Sequence, residues 1–76
     1  MELNNFVENF AAQFDDTDAS EFTALTKYKE LVDWSSITAL TIIAMVDEEY
    51  NITLKGDDIR NTTTIEDLFN VVKNKL

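Results

Sequence analysis

The chain has no cysteine and no histidine. Thiol catalysis, disulfide bracing, zinc sites and imidazole acid–base chemistry are therefore closed to its own side chains. A single glycine rules out a Gly-rich phosphate loop. No apolar run approaches the roughly 20 residues that a membrane span requires. The start, Met1-Glu2-Leu3-Asn4-Asn5, lacks the basic segment and apolar run of a signal peptide. A cytoplasmic location is expected on that basis. Basic residues are scarce: six stand against fifteen acids, for a net charge of −9. That exceeds the magnitude of about 2–8 usual for a small soluble domain. Such a field repels nucleic acid and anionic membrane and steers the protein toward basic surfaces. With this inventory the chain is poorly equipped to be an enzyme by itself.

What is present suits one small domain over residues 1–76, with an apolar fraction of 45%. Leu3, Phe6, Val7, Phe10, Ala11 and Phe14 recur at helical spacing and predict an amphipathic helix over 3–14. The aromatic stripe reads as core packing. Asp15 to Glu21 then breaks the pattern. Alternate acids from Asp16 suggest a calcium loop, but its sixth position is Glu21 rather than Gly, and its twelfth is Lys27 rather than Glu. An EF-hand is rejected. A long connection from 15 to 34 is expected, pinned by Phe22, Leu25, Tyr28 and Leu31 and able to hold a short helix of its own.

Residues 36–50 predict the most regular helix, with Ser35 as its N-cap and Asn51 as its stop. Ile37, Leu40, Ile43, Ala44 and Tyr50, with Val46 close by, are expected to form its apolar face. Asp47, Glu48 and Glu49 crowd its last turn, the end where the helix dipole favours cations. That misfit points to acids that serve a partner. Ile52-Thr53-Leu54 reads as an extended link, and Gly56-Asp57-Asp58-Ile59 as a turn with about one helical turn. Thr63 with Glu66 has capping-box spacing for a last helix that carries Ile65, Leu68, Phe69, Val72 and Leu76. The expected fold class is all-α: three main helices plus one short helix, with a long loop between the first and second main helices.

This order resembles the acyl carrier protein family and its peptidyl and D-alanyl carrier relatives. The resemblance covers nearly the whole chain and is best from Leu31 to Val72. The residues that carry it are Ser35-Ser36-Ile37, then Leu40, Ile43 and Val46, then Asp47-Glu48-Glu49-Tyr50, Ile52-Thr53-Leu54, and Thr63 to Leu68. The family pattern is Asp-Ser-Leu at the start of its second long helix, with the Ser followed by a large aliphatic residue. Ser36 fits, with Ile37 next and Tyr50 fourteen positions on. Ser35 stands where the family has Asp, which keeps the N-cap and loses a charge; Asp33, two residues earlier, is placed to compensate.

The resemblance implies a 4′-phosphopantetheine arm on Ser36, installed from coenzyme A by a phosphopantetheinyl transferase. It implies a cytoplasmic monomer of lipid or fatty-acid metabolism that holds acyl groups as thioesters. Its partners would be acyl-transferring and acyl-modifying enzymes with basic patches, not nucleic acid and not the membrane interior. Asp33, Ile37, Ala44, Asp47 and Glu48 would meet those partners, with Asp57 and Asp58 as extras. Thr38 and Thr41 stand where many members have acids. Ile43, Val46, Ile59 and Ile65 either line a space for cargo or form ordinary core. Trp34 either packs on the loop or stacks near the arm. Two other readings stay open: a specialised aminoacyl, peptidyl or D-alanyl-type carrier, and an acidic helical interaction module that has lost the arm.

Overall fold

The computed structural model describes residues 2–15 and 17–76. Its elements run α1 (Leu3–Ala11), two single 3-10 turns (Ala19–Glu21 and Tyr28–Glu30), α2 (Ser36–Tyr50), α3 (Gly56–Arg60) and α4 (Ile65–Asn74). Among the described residues there is no strand; one bridge pairs Lys27 with Thr64. The architecture is the expected all-α bundle of three longer helices and one short one. Among the described residues no helix is long and apolar enough to cross a membrane. The first residue of the rejected calcium loop, Asp16, lies outside the described residues.

An aromatic array holds the bundle together. Phe6 on α1 meets Tyr50 of α2 and Phe69 of α4, with ring centroids 5.8 and 5.6 Å apart. Phe10 meets Tyr28 of the long connection edge-on at 5.3 Å. These separations lie in the range where aromatic pairs add to area burial. Phe14 is buried although α1 ends at Ala11 rather than at the expected residue 14. A last turn, in which the Gln13 and Phe14 N–H groups donate to the carbonyls of Phe10 and Ala11, brings its ring inward.

The long connection is fastened to the far side of the molecule. The Tyr28 hydroxyl lies 3.2 Å from the Ile59 carbonyl and 2.5 Å from Thr62 Oγ1. Lys29 Nζ donates to the carbonyls of Ile59 and Arg60, both at 3.1 Å. It thereby supplies a donor to the Arg60 carbonyl at the C-terminal end of α3 and a further one to the Ile59 carbonyl, which also accepts the Thr62 N–H. The N–H groups of Ile65 and Glu66 donate to the carbonyls of Thr26 and Ala24. Phe22 and Tyr28 pin the connection as expected, and Leu31 packs partly against the core. Leu25 does not: it is exposed, and the turn around it is held by Thr23 and Thr26 hydroxyls instead.

Three expectations of register are corrected. The buried side of α2 is Ile42, Met45 and Val46. Ile37 and Leu40 are 75% and 66% exposed, Ala44 is exposed, and Ile43 and Tyr50 are half-buried. Apolar residues surround this helix in sequence, so periodicity alone does not choose a face; packing against α1 and the shared core chooses it. The cap of α4 is Thr64 with Asp67, not Thr63 with Glu66. Three consecutive threonines and two adjacent acids allow both registers. The observed one leaves Thr62 buried, where its hydroxyl donates to the Asp58 carbonyl at 3.0 Å. Leu76 is exposed, because α4 ends at Asn74.

Candidate functional site

The two serines at the start of α2 have different surroundings. Ser35 is the N-cap, with extended backbone angles (φ −153°, ψ 175°). Its Oγ accepts from the Thr38 N–H at 3.3 Å and lies 3.1 Å from Thr38 Oγ1. Ser36 is the first helical residue and is exposed. Among the described residues its hydroxyl has no hydrogen-bond partner, and the N–H groups of Ser36 and Ile37 meet no acceptor. The first turn of α2 contains no acid. The positive end of the helix dipole therefore stands uncompensated beside a free primary hydroxyl.

The segment before the serines is braced. Thr17 Oγ1 donates to Asp33 Oδ2 at 2.5 Å, and Thr38 Oγ1 donates to the Asp33 carbonyl at 3.0 Å. Thr38 thus spends its hydroxyl on tying the turn to the helix. Trp34 is half-buried, 5.0 Å edge-on from Tyr28 and 6.5 Å stacked from Phe14. Of its two readings, packing is the one the structure bears out.

Along α2, Ser36, Ile37, Leu40, Ala44, Asp47 and Glu48 are all exposed. Their spacing of three and four residues places them on one side of the helix. The sequence-expected Ile37, Ala44, Asp47 and Glu48 thus come together with Ser36 on one solvent-facing stripe. Asp33 lies apart from that stripe, before the helix. Leu40 joins the stripe although the sequence assigned it to the core; the signal was the surplus of apolar residues around α2. Thr41 is half-buried, and its hydroxyl donates back to the Ile37 carbonyl at 3.0 Å.

The far end of the stripe is acidic and unpaired. Asp47, Glu48 and Glu49 have no ion-pair partner among the described residues, and no basic residue occurs from Glu30 to Leu54. Asn51 closes the helix in the left-handed conformation (φ 59°), its N–H donating to the Asp47 carbonyl at 3.0 Å. Asp57 and Asp58, named as extras, are otherwise engaged. Asp57 pairs with Arg60. Asp58 lies 3.5 Å from Lys75 Nζ and accepts the Lys55 N–H at 2.9 Å. Val46, Ile59 and Ile65 are core residues and Ile43 packs partly against them.

No family model matches the chain, and no solved structure matches it. A stretch of 47 residues is 30% identical to the acyl carrier protein of Kocuria rhizophila. The match covers 62% of this chain and 58% of that relative's length. The chain therefore spans less than two thirds of the curated relative it matches.

Proposed function

We propose that this protein is a carrier that bears a 4′-phosphopantetheine arm on Ser36 and delivers acyl groups to partner enzymes of fatty-acid or related biosynthesis. One observation carries the reading: at the start of α2 the exposed Ser36 hydroxyl is free, while Ser35 alone serves as the cap. The likeness to an acyl carrier protein supports it.

The residues present fit such a group. A phosphodiester on Ser36 Oγ would lie at a helix start whose N–H groups lack acceptors and whose first turn carries no acid. The arm, when attached, supplies the thiol that holds cargo as a thioester. The chain's own tasks are presentation and recognition. Ser35 and Thr38 fix the turn that presents Ser36. Ile37, Leu40 and Ala44 give the neighbouring stripe an apolar patch, and Asp47 and Glu48 give it a negative end. A partner with an apolar contact near its active-site mouth and a basic patch farther off matches that order of residues. Because the first half of α2 is uncharged, salt is expected to weaken partner binding less than the net charge of −9 suggests.

Incubation with coenzyme A and a broad-specificity phosphopantetheinyl transferase, followed by intact mass spectrometry, tests the reading. One phosphopantetheine addition is expected. No addition, with transferases from several sources, would favour the acidic interaction module.

A further inference from the structure

The turn before Ser36 is held by a short chain of hydroxyl bonds that meet at Thr38. Thr38 Oγ1 lies 3.0 Å from the Asp33 carbonyl and 3.1 Å from Ser35 Oγ. A carbonyl only accepts, so the single hydroxyl proton of Thr38 goes to Asp33. Thr38 Oγ1 therefore accepts at its other contact, and the proton there is that of Ser35. Ser35 Oγ in turn accepts the Thr38 N–H. The Ser35 hydroxyl is thus engaged both as donor and as acceptor. The rest of the turn is fixed as well. The Asp33 carboxylate accepts from the Thr17 hydroxyl. The Trp34 N–H donates to the Leu31 carbonyl, and its ring sits against Phe14 and Tyr28. From Asp33 to Ser36, only the side chain of Ser36 is left without a bond or a core contact among the described residues.

We infer that Thr38 is a positioning residue for the loading of Ser36; this inference rests on the carrier reading above. Its hydroxyl holds Ser35 in the capping role and ties the turn to the helix, so that the neighbouring Ser36 hydroxyl is presented free and in one place. Loading forms a bond from Ser36 Oγ to the pantetheine-bearing phosphorus of coenzyme A. The anhydride bond of that phosphorus breaks, adenosine 3′,5′-bisphosphate leaves, and the serine proton passes to a base of the transferase. The step depends on where Ser36 Oγ stands. A misplacement of about 1 Å can cost a reaction about 10²-fold. The Thr38 hydroxyl itself is turned to Asp33 and Ser35, so it acts through the turn and not by touching the transferase. The role needs a group that gives and takes a hydrogen bond at once. A carboxylate at position 38 only accepts and could not bond the Asp33 carbonyl, whereas a serine keeps both bonds.

The test is the kinetics of loading from coenzyme A by a phosphopantetheinyl transferase, followed by intact mass, with thermal melts of every variant. Thr38→Val keeps the shape and removes the hydroxyl. Thr38→Ala removes it while raising helix propensity, so the two variants share only the loss of the hydroxyl. Thr41→Val is the control, since the Thr41 hydroxyl donates to the Ile37 carbonyl within α2 and has no bond to the turn. Thr38→Val and Thr38→Ala are each expected to lower kcat about three- to tenfold with KM within about twofold. Thr38→Ser and Thr41→Val are expected to stay within about twofold of wild type in both constants. With the wild type loaded, the positioning role would be overturned, and the carrier left intact, by a kcat of both hydroxyl-less variants equal to that of Thr41→Val. A rise in KM at unchanged kcat would overturn it too, because Thr38 would then be a contact of the transferase. So would a Thr38→Ser variant as slow as Thr38→Val. Failure of the wild type to load would overturn both readings.

Discussion

The two longest helices that follow the connection begin with the same kind of residue and end up with opposite surroundings. At the start of α4, Thr64 Oγ1 accepts the Asp67 N–H at 3.1 Å. Asp67 Oδ2 accepts the N–H groups of Thr63 and Thr64, also at 3.1 Å. The next two donors, on Ile65 and Glu66, are taken by the carbonyls of Thr26 and Ala24. Two acids, Glu66 and Asp67, lie in the first turn. At the start of α2 one side-chain cap bond is made, from the Thr38 N–H to Ser35, and the first turn holds no acid. One helix start is closed by its own chain. The other is left open beside an exposed serine. A helix end that serves only the fold gains from full capping. Of this pair, only the start of α2 leaves its first donors and an exposed serine hydroxyl open.

The contrast can be broken at several points. The largest effect is expected on the buried side of α2, where Ile42→Ala should cost about 2–5 kcal/mol. That is a large share of the stability of a small domain. Ile37→Ala, on the exposed side of the same helix, should stay within about 0.5 kcal/mol while weakening partner binding. Chemical denaturation of both variants checks the pair. At the closed helix start, Thr64→Ala should cost about 1–2 kcal/mol, and Ser35→Ala less, because its cap bond is longer. Thermal melts of the two variants side by side give the order.

Smaller effects depend on pH. Burial pushes the Tyr28 phenol above its usual value, outweighing the Thr62 hydrogen bond that lowers it. A folded-state pKa above the unfolded one gives stability that is full below the ordinary tyrosine value and lost as pH rises through the folded value. Alkaline unfolding should therefore begin above about pH 10. Tyr28→Phe should cost about 1 kcal/mol at neutral pH and remove that part of the alkaline slope. Thr62 keeps its bond to the Asp58 carbonyl in that variant.

Asp67 behaves in the opposite sense. The Thr64 and Thr63 N–H groups hold its carboxyl below the usual carboxylate range. A depressed pKa gives stability that is present above the ordinary carboxylate value and lost as pH falls through the folded one. The melting temperature of wild type should approach that of Asp67→Asn as pH is lowered below the ordinary carboxylate value, from about 4.5 to about 2. A constant gap between the two across that range would contradict it.

Much of the fold was legible because its signals were local. The Ser35 cap, the Asn51 stop and the single turn of α3 each depend on one or two residues and their neighbours. The stripe on α1 was legible because Phe6 and Phe10 contrast with Asn4, Asn5 and Glu8 around them. The buried face of α2 was not. Ile37, Leu40, Ile42, Ile43, Met45 and Val46 leave no polar side to read against, so the choice falls to long-range packing. The register of the α4 cap was also hidden, because Thr62, Thr63 and Thr64 are chemically alike and only the inward bond of Thr62 separates them. At the site, the sequence pointed to Ser36 by resemblance; the structure adds the physical distinction from Ser35. Asp57 and Asp58 looked available in sequence; a local pair with Arg60 inside α3 occupies the first and a tertiary pair with Lys75 the second.

The most direct measurement compares Ser35→Ala and Ser36→Ala in one experiment, reading both thermal stability and loading from coenzyme A by intact mass. Ser36→Ala should melt within about 0.5 kcal/mol of wild type and take up no arm. Ser35→Ala should lose more stability and still be loaded. The reverse result, with loading lost in Ser35→Ala and kept in Ser36→Ala, would contradict the assignment of the open helix start to Ser36.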